Sequence, residues 1–219
     1  MKSPWMLPLG LTMAVAAEVV SWPPKLPANQ KVVVLEGMEL LKPVGRLRDG
    51  VKVAKTPPRV SFFYYDCQTY AGSPWSGWGD GLVANGKYYS AVGDHASPGG
   101  NAFVYEFDPK SDSLRRLMDL RSVLKRKDGH YTPGKIHSVL GMGRDGWLYF
   151  STHRGSTKVG LDPKNHFEGD WIMKLDPRSG ASGVVASQPL AMQCLPTGIL
   201  DGERMIWYAG TADGLNKND

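Results

Sequence analysis

Beyond Asp80 the chain is written in short apolar and aromatic runs separated by turn-forming residues. Tyr88-Tyr89-Ser90, Phe103-Val104-Tyr105-Glu106-Phe107, Trp147-Leu148-Tyr149-Phe150-Ser151, Trp171-Ile172-Met173-Lys174-Leu175 and Ile206-Trp207-Tyr208 carry the aromatic and branched side chains that suit a pleated surface. Asn85-Gly86, Asp145-Gly146 and Asp201-Gly202 read as hairpin signals, because that turn needs positive φ and Asn, Asp and Gly tolerate it. Asp108-Pro109-Lys110-Ser111 and Asp176-Pro177-Arg178-Ser179 predict a second kind of turn. There proline presets φ and the Asp or Ser side chain holds the backbone. Upstream, Lys31–Leu35 and Val60–Tyr65 are β-type runs separated by Thr56-Pro57-Pro58. In Ser113–Lys127 the residues Leu114, Leu117, Leu120 and Leu124 recur at helical spacing. That segment reads as a helix, or as a fourth strand followed by one helical turn.

The segments are versions of one another. Gly86, Gly146 and Gly202 mark the same point in three units, 60 and 56 residues apart. Units of this size cannot bury their apolar faces alone, which predicts a propeller or solenoid. The period exceeds the roughly 40–50 residues of common propeller repeats, and the excess falls in the loops Asp94–Asn101 and Arg154–Gly169. The expectation is an all-β chain, a β-propeller of antiparallel four-stranded blades. Three to four blades fit here, the last cut after its second strand, so the propeller is expected to be a fragment of a longer one. The expected organisation is a signal peptide at 1–17, a linker with the first strands at 18–58, and blades at 59–219.

Composition narrows the class. With 42% hydrophobic and 21% charged residues the chain suits a globular domain. The start carries Lys2, an apolar stretch from Trp5 to Val15 and the small-x-small Ala14-Val15-Ala16, the pattern of an export signal. That stretch is too short to cross a bilayer, so no membrane span is expected in the mature chain, and a secreted or periplasmic location follows. The net charge of +5 reads as a mixed surface or as attraction to an acidic partner, foremost an anionic carbohydrate. No finger, basic helix or RNA-binding motif is visible, so nucleic acid is not an expected partner. Cys67 and Cys194 are the only cysteines; a disulfide and two separate buried thiols are both open.

In a four-stranded blade the start of the first strand and the end of the second share one side. That places Trp78, Asp80, Asp94 and His95 at one mouth, with His137, His153 and Arg154 beside them and Thr197 and Asp213 in the third unit. Concave mouths with a few convergent polar groups are the usual ligand sites. Two chemistries fit. One is a divalent metal held by the histidines with His95 or Asp94. The other is metal-free, with a histidine as general base and Arg154 holding a substrate carboxylate. Each residue also has a structural reading: His137 opens an apolar strand, His153 and Arg154 end one, and Asp80 and Asp94 flank glycines. His130 and His166 sit in polar loops and read as lying outside the site. The run Gly72–Gly79, with Trp75 and Trp78, offers a sugar-stacking platform or a core plug. No H-E-x-x-H, G-x-S-x-G or P-loop occurs, so zinc peptidase, serine hydrolase and NTPase readings have no basis.

At the Asp145–Ser151 hairpin and the Lys174–Gly180 turn, and across Gly72–Gly214, the sequence resembles bacterial exported β-propellers. The similar groups are the gluconolactonase, streptogramin-lyase and quinoprotein-like blades. The hairpin from Ile136-His137 to His153-Arg154 also looks like the active blades of propeller polysaccharide lyases. The resemblance implies a carbohydrate-active enzyme that removes the proton beside a uronate carboxylate. His137 or His153 would be the base, Arg154 the carboxylate partner and Tyr131 the acid; Trp78, Asp80, Asp94 and His95 would bind substrate. Two other functions stay open: a non-catalytic ligand- or protein-binding propeller, and a metal-dependent lactonase-like hydrolase.

Overall fold

A computed structural model describes residues 26–43, 45–66, 75–77, 79, 81–94, 100–155 and 163–213. The segment read as an export signal and Cys67 lie outside these residues. Among these residues the fold is all-β, made of antiparallel sheets with one short α-helix. A separate hairpin pairs β1 (Val32–Glu36) with β2 (Arg59–Phe63). Two units of the same path follow. In the first, β3 (Trp75–Gly77) and β4 (Leu82–Ala84) are two halves of one interrupted strand, both paired with β5 (Lys87–Asp94). Next come β6 (Ala102–Asp108) and β7 (Ser113–Asp119). The segment with helically spaced leucines is thus a strand that runs into one turn of helix, α1 (Leu120–Leu124). The Asp119 side chain accepts from the Ser122 amide and caps that turn.

The second unit repeats the path. β8 (Lys135–Ile136) and β9 (Gly141–Met142) form an interrupted first strand against β10 (Leu148–His153), followed by β11 (Trp171–Leu175) and β12 (Ser182–Ser187). A last two-stranded sheet joins β13 (Gln193–Asp201) to β14 (Ile206–Asp213). Apolar faces of the two larger sheets close on one core. Tyr89, Val104 and Met118 from the first, with Leu120 of α1, meet Leu148, Phe150, Met173 and Leu175 from the second.

Turn chemistry follows the sequence in part. Asn85 and Gly86 both have positive φ, 53° and 73°, and close a two-residue hairpin between Ala84 and Lys87. The Asp-Pro turns are held as expected: Asp108 accepts from the Lys110 amide, and Asp176 from the Arg178 amide and the Ser179 hydroxyl. These bonds keep the Asp176 carboxyl down at about 2. Asp201-Gly202 departs from the expectation. The strands pair at Asp201 and Ile206 around a longer turn whose left-handed residue is Met205, φ 58°. Gly202 is there because the carbonyl of Met142 in the preceding sheet lies where a Cβ would go.

The two units approach closely at Gly93, where β5 meets the Gly134-Lys135 backbone at the start of β8. A Cβ at Gly93 would land on the Gly134 carbonyl oxygen, a backbone atom that cannot rotate away. Gly93→Ala should therefore force the sheets apart and cost about 1–3 kcal/mol or more. Equilibrium urea unfolding measures this; an unchanged midpoint would show that the units are not packed through these glycines.

Candidate functional site

The site grows from a defect in one strand. Residues 137–140 separate β8 from β9, so the ladder against β10 is broken there. The Ser138 hydroxyl fills the gap, accepting from the Ser151 amide at 2.8 Å. The Ser151 hydroxyl in turn donates to the Leu195 carbonyl at 2.9 Å. A second irregularity faces the first. Between Cys194 and Thr197, β13 carries one residue more than its partner strand, and Pro196 sits in that bulge. Proline has no amide hydrogen to give to a ladder, so a bulge is where a strand tolerates it. The bulge turns the Pro196 carbonyl toward His137.

His137 Nδ1 lies 2.8 Å from that carbonyl oxygen. A carbonyl can only accept, so Nδ1 carries the hydrogen and Nε2 the lone pair. His153, at the end of β10, is in the opposite tautomer: its Nδ1 accepts from the Gly155 amide at 3.2 Å, which puts the hydrogen on Nε2. The ring centroids are 5.6 Å apart at 46°. The structure thus brings the two imidazoles together, as the hairpin geometry requires. His137 is half-buried and opens into a pocket of about 500 Å³ lined by Gly79, Ser138, Pro196, Thr197 and Tyr208, among others. His153, 6% exposed, sits behind it.

The remaining expected residues divide. Asp94 ends β5 and is fully buried; its carbonyl and that of Arg154 flank Gly134, so both reach the junction of the two units. Arg154 is only 1% exposed, and its guanidinium donates to the Gly155 carbonyl at 3.3 Å. That burial leaves little of the guanidinium open to the pocket. Tyr131 is buried likewise: with no exposed surface, it donates to Asp170 at 2.8 Å. Burial and that carboxylate push its hydroxyl well above the usual tyrosine range, so it keeps its proton for that hydrogen bond. Trp78, Asp80 and His95 lie outside the described residues. Among the described residues no three His, Cys, Asp or Glu side chains gather as a metal set, so the imidazole pair has no third ligand there.

Asp170 was not anticipated. It is fully buried just before β11, and its Oδ1 accepts from Tyr131 and from the Thr152 hydroxyl at 2.9 Å. Oδ2 is buried, and the Leu195 backbone also acts on the carboxyl. Desolvation raises the carboxyl to about 6, against the lowering effect of those donors and of the Arg154 charge. Buried Cys194 adjoins the same groups, and burial pushes its thiol up to about 12. The repeat held the signal: counted back from the two Asp-Pro turns, Asp170 occupies the place of Ala102, so a carboxylate stands where the first unit has a buried methyl.

No protein-family model matches the chain, and no curated protein matches it.

Proposed function

We propose that the two four-stranded units and the β13–β14 hairpin are successive blades of a β-propeller. In this reading the His137 pocket binds an acidic saccharide and His137 abstracts the proton beside its carboxylate. The blade reading is supported by the repeated path of interrupted first strand, second, third and fourth strand. The chemical reading rests on one observation above all, the Pro196 hydrogen bond that fixes the His137 tautomer. That bond puts the hydrogen on Nδ1, which assigns the base's role to Nε2 on a ring that opens to a pocket. In the step, Nε2 takes the C–H proton and the electron pair becomes a C=C bond as the glycosidic C–O bond breaks. The imidazolium so formed returns its proton to the departing oxygen. His153 braces the base from behind.

Incubation with uronate-rich polysaccharides, followed by absorbance of the unsaturated sugar, tests the reaction. A rising signal with new reducing ends is expected; saccharide binding without product would overturn the chemistry. Such an outcome would favour a non-catalytic binding propeller. The burial of Arg154 and Tyr131 speaks for that second reading, because it removes two polar groups from the opening.

A further inference from the structure

A second pocket lies beyond the end of α1, away from the His137 opening. Its volume is about 220 Å³, roughly seven times the share of one water in the liquid. Arg121, Arg126, Lys127 and His130 line it, with Asp128 the one carboxylate among the lining residues. Both guanidiniums are tied to carbonyls, which orient them without neutralising them. Arg121 donates to Gly100 at 3.1 Å. Arg126 donates to Tyr131 and His166 at 3.3 and 3.2 Å and stands over the Trp171 ring. Glu168 reaches Arg126 only at 3.7 Å and is itself 60% exposed. Among the described residues no carboxylate pairs with Arg121.

The two histidines read from sequence as loop residues complete the picture. His130 and His166 stack with centroids 4.0 Å apart at 17°. His166 is held in the left-handed region, φ 51°, a conformation uncommon outside glycine. Two imidazoles in this contact resist a shared positive charge. Burial first, and then the charges of His166, Arg126 and Lys127, hold His130 below the usual histidine range, with Glu168 acting the other way. An anion among these groups would reverse the balance. Guanidinium groups whose orientation is already fixed lose little freedom on binding, and they match oxyanions in geometry as well as charge.

We propose that this pocket binds an oxyanion, either the carboxylate or sulfate group of an acidic saccharide or the free inorganic ion. The site is independent of chemistry at His137 and would serve a binding protein equally well.

Side-chain NMR of His130 and His166 in the intact chain, at low ionic strength, tests it with three probes: inorganic sulfate, glucuronate and a uronate-rich oligosaccharide. Binding should shift the His130 resonances and raise its titration midpoint. Arg126→Gln should weaken binding about tenfold, the factor that about 1.4 kcal/mol represents. Since Arg126 also packs on Trp171, Lys127→Gln gives a second reading from an exposed position and should weaken binding in the same direction. Equal response to sulfate and sugar assigns the site to the oxyanion alone, and tighter binding of the oligosaccharide assigns it to an acidic sugar. No shift of His130 with any probe, or unchanged affinity in both variants, overturns the proposal.

Discussion

Asp170→Ala should cost the fold about 3–5 kcal/mol, the usual loss when one member of a buried charged cluster is removed. The variant strands the Tyr131 and Thr152 hydroxyls, which both donate to Oδ1, and leaves the buried Arg154 charge without the carboxylate acting on it. Tyr131→Phe removes a single donor and should cost only about 1–2 kcal/mol. Urea unfolding of both variants near pH 4, where the carboxyl contributes its full stability, measures the difference. A loss under 1 kcal/mol for the alanine variant would mean that the cluster is not cooperative.

The same carboxyl sets a pH dependence of definite sign. Asp170 titrates at about 6 in the fold and near 3.9 when unfolded. Between those values the folded chain holds the proton and the unfolded chain has lost it. Stability from this group is therefore fully present below about pH 4 and declines as pH rises to 6, by about 3 kcal/mol in order of magnitude. Asp170→Asn cannot ionise and lacks this decline. The stability difference between the native chain and the asparagine variant should accordingly fall across this window; a flat difference would show that the carboxyl titrates normally.

Much of the fold was legible because strands announce themselves locally. Alternating aromatic runs, Asn85-Gly86 and the two Asp-Pro turns each act over a few residues, and each produced the element expected of it. The leucines of Ser113–Lys127 were ambiguous because a strand entering a helical turn can carry the same spacing. Gly202 was misread because a glycine required by a neighbouring carbonyl looks, in sequence, like one required by a turn. The site divides on the same principle. The meeting of His137 and His153 follows from the hairpin, but the inward course of Arg154 depends on what surrounds it in three dimensions. Nothing in the local sequence marks Pro196 as the carbonyl that orients a histidine 59 residues away. Asp170 was detectable only by laying one repeat over the other.

If the His137 pocket carries out proton abstraction, His137→Ala should lower turnover by about 10²–10⁴-fold, the usual contribution of a positioned general base. The ring is half-buried and opens to the pocket, so the variant should lose much less stability than Asp170→Ala. His153→Ala is expected to act differently. That ring is buried behind His137 and accepts from the Gly155 amide, so its loss disturbs the loop as well as the neighbouring imidazole. It should therefore reduce both stability and turnover. Pairing activity with urea midpoints separates the roles: His137→Ala falls mainly in turnover, His153→Ala in both. Replacing Pro196 leaves a carbonyl in place but adds an amide hydrogen and frees φ, which loosens the bulge that aims the acceptor at Nδ1. Pro196→Ala should then lower turnover less than His137→Ala and leave the fold intact. Full activity in both His137→Ala and Pro196→Ala would rule out the imidazole as the base.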